Sequence, residues 1–345
     1  MTAASPSRKT SSTGSRISLA HGGGGQLTDE LFVSAILPRL GNSVLNDLLD
    51  SAQFAGAGRL AMTIDSYIVQ PLKFPGGDIG RLCISGTVND LAVCGARPLG
   101  IALSLILTEG LDRQVLEDVL DSIAATANLA DVKVVTGDTK VVGHGHGDGI
   151  YITTAGVGAA GPYVLHPSQV RPGDVLIISG PIADHGMAVM LARQMPHVKS
   201  AVRSDVAPLN HMIADLLEGV PGVVFLRDPT RGGLAGVAAD LAARTGLHIT
   251  LNETDIPVRP QTLHAADMLG IDPLDVANEG KIVVVVRPDS AAQALEALRE
   301  DKHGKEACIV GSVGVDEDGI CELRTSMGGR RILQKPYGEQ LPRIC

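Results

Sequence analysis

The sequence predicts a mixed α/β protein built from two units. Strand-like apolar runs alternate with amphipathic helical runs along most of the chain, and 345 residues is about twice the usual domain length. With 44% hydrophobic and 19% charged residues, the composition can supply substantial buried cores.

Residues 1–16, rich in Ser and Thr and basic without an apolar core, read as a disordered leader rather than a secretory signal. His21 and four glycines follow, then a helical pattern with Leu27, Leu31, Phe32, Ala35 and Ile36 on one face. The glycines fit either a phosphate-binding turn or a hinge. A strand from Leu60, a Pro/Gly loop (71–80) and an apolar helix from Leu82 to Cys94 come next. A strand (99–107), an amphipathic helix (112–127) and two strands (132–142 and 149–157), joined by the loop GHGHGDG, complete the first unit. The boundary falls at 160–172, giving a first domain over 17–165 and a second over 166–335. In the second, strands are expected at 175–179, 247–252, 281–287, 308–313 and 320–325, and helices at 182–195, 207–218, 232–245, 260–269 and 289–300. Residues 336–345, with two prolines and a glycine and no periodicity, read as an exposed, flexible tail.

A net charge of −9 argues against a nucleic-acid binder, which needs a basic face to displace counterions from phosphates. With 2% aromatics and no Trp, base-stacking platforms are equally disfavoured. No apolar run reaches the roughly 20 residues of a membrane span, and the five irregularly spaced cysteines fit a reducing compartment, so the expected location is cytoplasmic.

Acidic residues recur at loop edges: Asp65 after a strand, Asp78 in GGDIG, Asp138 in TGDTK and Asp228 in RDPTRGG, with Asp90 late in a helix. Carboxylates converging on a nucleotide would hold Mg²⁺, although each alone also fits a cap or turn. Thr136 to Lys140 offers a backbone that can approach phosphate, a carboxylate, a hydroxyl and a cation, without the spacing of a Walker A loop. The RDPTRGG segment places two arginines before a helix and suits an anion, or simply a capping loop. His144 and His146 read as solvated residues of a hairpin loop, because no third ligand lies nearby in sequence. Cys83, Cys94, Cys308 and Cys321 read as small buried hydrophobes. Cys345 differs: it ends the tail, where a thiol on an extended arm could visit an active site.

The run TIDSYIVQPLKFPGGDIGRLCISGTVNDLAVCGARPL, then VTGDTKVV, ISGPIADHGMAVM, RDPTRGGLA, ANEG and the terminal PRIC, closely resembles the HypE family of hydrogenase-maturation carbamoyl dehydratases. That family belongs to the PurM-like ATP-binding superfamily, and the resemblance runs from about Leu19 to Cys345. It implies a two-domain PurM-like fold, a homodimer whose N-terminal sheets pair into a barrel-like core, and ATP and Mg²⁺ as cofactors. It further implies that a carbamoyltransferase partner, HypF, loads Cys345. ATP-driven dehydration then yields a thiocyanate, and a HypC–HypD complex accepts the cyanide ligand for nickel–iron hydrogenase. Asp65, Asp90 and Asp228 match positions that hold Mg²⁺ and phosphates; Asp78, Gly137, Asp138, Thr139 and Lys140 match positions lining the nucleotide. Cys345, Lys140 and Glu279 match the catalytic set, with Lys140 stabilising charge and Glu279 removing a proton from nitrogen. The His21 and Gly22–Gly25 segment matches a flap over the nucleotide. Another PurM-like enzyme, such as aminoimidazole ribonucleotide synthetase, thiamine monophosphate kinase or selenophosphate synthetase, is the nearest alternative. A non-catalytic nucleotide-binding scaffold is the other. Selenophosphate synthetase is disfavoured because no cysteine precedes Cys83.

Overall fold

A computed structural model describes residues 25–31, 33, 34, 52–56, 58–316, 319–338, 341 and 343–345. The leader, His21 and Gly22–Gly24 lie outside the described residues.

In the first unit, α1 (Gln26–Leu31) is followed by strands β1 (Ala52–Gly56) and β2 (Gly58–Tyr67) and a short β3–β4 pair (Lys73–Phe74 and Gly77–Asp78). Helix α2 (Ile79–Val93), β5 (Ala96–Thr108), α3 (Arg113–Leu129), β6 (Val134–Val142) and β7 (Ile150–Ala160) complete it. One five-stranded sheet runs β1-β2-β7-β5-β6, antiparallel except for the parallel β5–β6 pair. Alternation sets the faces. In β2, Ala61, Thr63 and Tyr67 turn inward to the helices, whereas Met62, Ile64 and Ser66 face out. Ile64, 67% exposed, and Met62 leave an apolar outer face uncovered.

This topology corrects one expectation. The 143–149 loop is not a hairpin turn, because β7 inserts between β2 and β5 and does not pair with β6. The loop instead crosses over the end of β5, where the carboxylate of Glu109 accepts from the His144 backbone N–H at 3.1 Å.

Helix α2 is apolar on all sides because it is covered on all sides: the sheet and α3 lie against it, and so does the second unit. Asp78 caps it, accepting from the Arg81 N–H at 2.9 Å. Asn89 ties it to the second unit, donating to Ala207 O at 3.0 Å and accepting from Leu209 N–H at 2.7 Å.

The second unit contains β8 (Val175–Ile178), α4 (Asp184–Gln194), α5 (Asn210–Gly219), β9 (Val223–Arg227) and α6 (Gly233–Thr245). Then follow β10 (Ile249–Asn252), α7 (Pro260–Leu269), β11 (Val283–Val286), α8 (Ala291–Glu300), β12 (Cys308–Val313), β13 (Cys321–Arg324) and β14 (Arg330–Leu333). They form a seven-stranded sheet in the order β14-β13-β10-β12-β8-β11-β9. Both faces are covered, so β11 is four consecutive buried valines rather than an alternating run. Strands β9 and β14 were not expected: the four apolar residues Val223 to Leu226 carry no period that separates strand from helix, and β14, RRIL, is too short and polar to show one.

The chain terminus also departs from expectation. Residues 343–345 are docked rather than exposed, with Ile344 buried to 3%. Ile68 N–H donates to the Cys345 carboxylate and Gln70 N–H to the Arg343 carbonyl, both at 3.2 Å, extending the line of β2. These are long-range backbone bonds, which periodicity cannot reveal.

Candidate active site

The inward face of β2 carries Thr63, Asp65 and Tyr67 toward α2, where Asp90 lies one turn beyond Thr87. Thr63 Oγ1 donates to Asp90 Oδ2 at 2.6 Å, and Tyr67 and Thr87 hydroxyls lie 3.4 Å apart. Burial, then the neighbouring Asp65, pushes the Tyr67 phenol well above its ordinary value, so it stays neutral.

Two loops of the second unit close over this face. Asp228 follows β9 and is buried; Arg231 stands three residues on, before α6, with its guanidinium 3.5 Å from Asp65 Oδ1. The loop before β11 carries Asn278 and Glu279. Asn278 holds both loops in place, its Oδ1 accepting from Ala183 N–H at 2.7 Å and its Nδ2 donating to Pro229 O at 3.2 Å. Glu279 is buried, and burial, then Asp228, Asp205 and Asp65, pushes its carboxyl well above the usual range, with Arg231 opposing. Asp205 accepts from the Glu279 N–H at 3.3 Å and pairs with Lys281 at 3.1 Å.

Cys345 ends the docked tail at this place. A cavity of about 120 Å³ beside it is lined by Ser66, Thr230, Arg231, Gly232 and Ala277. The Arg231 side chain is still half exposed, and the neighbouring Cys345, Asp65, Asp90 and Tyr67 hold its guanidinium above its ordinary value. Arg231 is thus the cation that links the thiol to Asp65 and Asp90, while Lys281 is engaged with Asp205 and Arg343 with Asp148.

Asp65, Asp228, Glu279 and Cys345, taken from four distant stretches of sequence, are thus brought together, with Asp90 beside them on α2. Among the described residues no three acidic, His or Cys side chains form a preassembled metal cage. A cation here would need oxygen from a bound phosphate as well, which is how Mg²⁺ is usually held.

Asp78 is used as a helix cap. Gly137, Asp138, Thr139 and Lys140 lie elsewhere, on edge strand β6, three strand spacings or about 14 Å from β2. Gly137 to Thr139 line an open cleft of about 480 Å³, and Lys140 pairs with Asp138 at 2.7 Å. That pairing, together with the Thr139 N–H, holds the exposed Asp138 carboxyl below its usual range. Within one chain Lys140 does not reach Cys345.

Sequence reasoning singled out RDPTRGG without separating its arginines. Arg227 is structural, paired with Asp240 at 2.7 Å, and Arg231 is the one in the site. Asp205 was missed, and nothing around it in SDVAP marks it. Cys83 and Cys321 are buried, the latter pushed up to about 12 by burial, while Cys94 and Cys308 are only half-buried.

Residues 48–160 match the family model of the AIR synthase related protein N-terminal domain, and 171–323 that of its C-terminal domain. The carbamoyl dehydratase HypE of Rhodobacter capsulatus is 44% identical over 335 residues, covering 96% of this chain and 98% of that protein. The chain belongs to the HypE family of carbamoyl dehydratases. A HypE structure in complex with ATP is 41% identical with a TM-score of 0.80, covering 95% of this chain and 99% of the other. A HypE–HypF complex gives 40% identity and a TM-score of 0.84 over 90% of this chain and 100% of the other. The mixed α/β fold of two AIR-synthase-related units is therefore that of HypE. Among the described residues no helix is long and apolar enough to cross a membrane.

Proposed function

We propose that this HypE-family chain is an ATP-dependent carbamoyl dehydratase acting on its own terminus, converting an S-carbamoyl group on Cys345 into a thiocyanate for hydrogenase maturation. The single observation that carries this reading is the docked position of Cys345, which lines a small cavity together with Arg231, the guanidinium that also reaches Asp65.

The chemistry assigns a part to each group. An amide oxygen is a poor leaving group. ATP supplies the phosphoryl group that lets this oxygen leave as phosphate, so the net change is loss of one water with cleavage to ADP and phosphate. Asp65, Asp90 and Asp228 are the carboxylates that would share Mg²⁺ with the triphosphate, and the acidic surroundings fit a cation. Arg231 is placed to balance charge gathering at the carbamoyl oxygen. The nitrogen gives up two protons, one as its oxygen is phosphorylated and one as the carbon–nitrogen triple bond forms, both ending on the released phosphate or in solvent. Glu279, as the carboxylate, takes the second from nitrogen. Asp78 and the 137–140 segment border the nucleotide.

Lys140 enters from a second copy of the chain. The uncovered apolar face of the first sheet, with Met62, Ile64 and Ile106 exposed, and the open edge at β6 support a homodimer in which β6 of one protomer completes the other's site. HypF, which binds the similar HypE in the complex described above, is the carbamoyl donor, and a HypC–HypD complex is the cyanide acceptor. The reaction takes place in the cytoplasm, without nucleic acid or membrane partners. The domains are 17–165 and 166–335, with a leader before and a tail from 336.

Cyanate-treated protein given Mg²⁺ and ATP tests the reading, with the C-terminal peptide followed by mass spectrometry and Cys345→Ala as control. ATP-dependent loss of one water from carbamoylated Cys345 is the expected result. A carbamoylated peptide that stays unchanged despite bound ATP would overturn it.

A further inference from the structure

His185 belongs to the ISGPIADHG segment, and none of the parts assigned above uses it. It is fully buried at the start of α4. Its Nδ1 lies 2.8 Å from Ser204 Oγ and its Nε2 3.1 Å from the Ile344 carbonyl oxygen. The ring of Phe74 meets it edge-on, with centroids 5.4 Å apart. Burial pulls the imidazole below its ordinary value, against the opposing pull of Asp205, so near neutral pH the ring carries one N–H.

Its partners decide where that proton sits. A carbonyl oxygen has no proton to give, so Nε2 must donate to Ile344. Ser204 Oγ already accepts the Val206 N–H at 3.1 Å, which leaves its own proton for Nδ1. Hydrogen bonds therefore run one way, from Val206 through Ser204 and His185 to Ile344. Ser204 is itself fixed to the first unit, donating its N–H to Pro75 O at 2.7 Å.

We infer that His185 is a positioning residue that seats the reactive thiol. The Ile344 carbonyl belongs to the planar peptide unit that also contains the Cys345 nitrogen and Cα. Clamping that oxygen fixes where the Cys345 side chain starts, and so where its sulfur lies relative to Arg231 and Glu279. The neighbouring contacts act elsewhere: Arg193 Nη2 donates to Arg343 O at 2.5 Å, and Ile68 N–H to the Cys345 carboxylate at 3.2 Å. This inference rests on the reading of Cys345 as the group that is dehydrated.

The test compares His185→Ala, His185→Gln and Ser204→Ala with the wild type in two assays. One is the rate at which a bulky maleimide–biotin labels Cys345 without nucleotide, read on the C-terminal peptide by mass spectrometry. The other is single-turnover water loss from carbamoylated Cys345 at saturating ATP. His185→Ala is expected to label up to about tenfold faster, the equivalent of one lost hydrogen bond, and to dehydrate several-fold more slowly because the sulfur of the docked tail is no longer held in place, with the KM for ATP unchanged. The Gln amide reproduces the Nε2 donor, so His185→Gln is expected to stay within about threefold of wild type in both assays. Ser204→Ala, which removes the group that orients the imidazole, should fall between.

Wild-type labelling in His185→Ala, or Gln behaving no better than Ala, would overturn the inference in favour of simple packing. Should His185→Ala fail to fold, as circular dichroism would reveal, Ser204→Ala decides: faster labelling supports the clamp and a wild-type rate refutes it. If the wild type itself loses no water, the dehydratase reading fails, while the labelling rates still decide whether His185 holds the tail.

Discussion

Gly233 opens α6 between Arg231 and the helix, with φ at +59°, and an added Cβ would sit 2.4 Å from Leu274 O and 2.6 Å from Val276 O. Both obstacles are backbone atoms, so no side chain can swing away. Gly246 closes the same helix at a similar φ of +73°, but a Cβ there meets nothing within 4 Å. The two glycines separate conformational strain from collision. Alanine in the left-handed region costs about 1 kcal/mol at either site. At Gly233 the overlap adds about 2–3 kcal/mol of forced displacement. Gly233→Ala should therefore lose about 3–4 kcal/mol and Gly246→Ala about 1 kcal/mol. The chain has no Trp, so urea unfolding is best followed by far-UV circular dichroism. The displaced segment, 274–276, leads directly to Asn278 and Glu279, so Gly233→Ala should also weaken ATP binding while Gly246→Ala should not. Equal losses in the two variants, to within about 0.5 kcal/mol, would refute the steric argument.

Glu279→Gln should leave the KM for ATP within about threefold while slowing water loss at least about 100-fold, and full dehydration with normal ATP binding would remove Glu279 from proton transfer. Burial alone would raise the Asp240 carboxyl, but Arg227, Arg244 and Lys335 hold it below its usual range. Its stabilisation is thus complete above the unfolded value of about 3.9 and lost as pH falls through the lower folded value. Asp240→Asn should cost about 2 kcal/mol at pH 7 and make the acid loss of stability shallower, as urea midpoints across pH would read. The Arg343 guanidinium, then the Tyr151 hydroxyl, holds Asp148 low, and the pair is partly exposed. Asp148→Asn should therefore speed maleimide labelling of Cys345 only about two- to fivefold.

The local elements were legible because their causes are local. The strand expected from Leu60 is β2, and the amphipathic helix expected over 112–127 is α3, which begins at Arg113 because Asp112 caps it. Long-range pairing was not legible. Nothing in residues 143–149 says that β7 slips between β2 and β5, so a crossover reads as a hairpin. The site divides the same way. Asp228 and Arg231 share one short segment, so their chemistry could be read from composition, whereas Asp65, expected just after a strand, lies within β2 two residues before its end. Asp205 acts through Lys281 and the Glu279 backbone, partners some 75 positions further along the chain, and shows no local sign. Lys140 was recognisable as a charge near a phosphate-like loop, yet its distance from Cys345 depends on sheet order.

The docking of the terminus is closely balanced, and this gives the labelling experiments their leverage. Holding Arg343, Ile344 and Cys345 in one backbone conformation and ordering their side chains opposes docking by about 6–9 kcal/mol. Against that stand six contacts. Ile68 and Gln70 N–H groups hold the Cys345 carboxylate and the Arg343 carbonyl, Arg193 and His185 hold the carbonyls of Arg343 and Ile344, and Arg343 reaches Ile68 O and Asp148. At about 1 kcal/mol each, with about 2 kcal/mol from burying Ile344, they favour docking by about 8 kcal/mol. The difference is small enough that an undocked terminus is a populated state, as loading by a separate carbamoyltransferase requires. Where docking is favoured by about 2 kcal/mol the undocked fraction is a few per cent, and losing a bond worth about 1.4 kcal/mol raises it by close to tenfold; nearer to balance the rise saturates. The His185 clamp and the weaker Asp148 pair should then raise the labelling rate in the order of their strengths, although neither touches the sulfur.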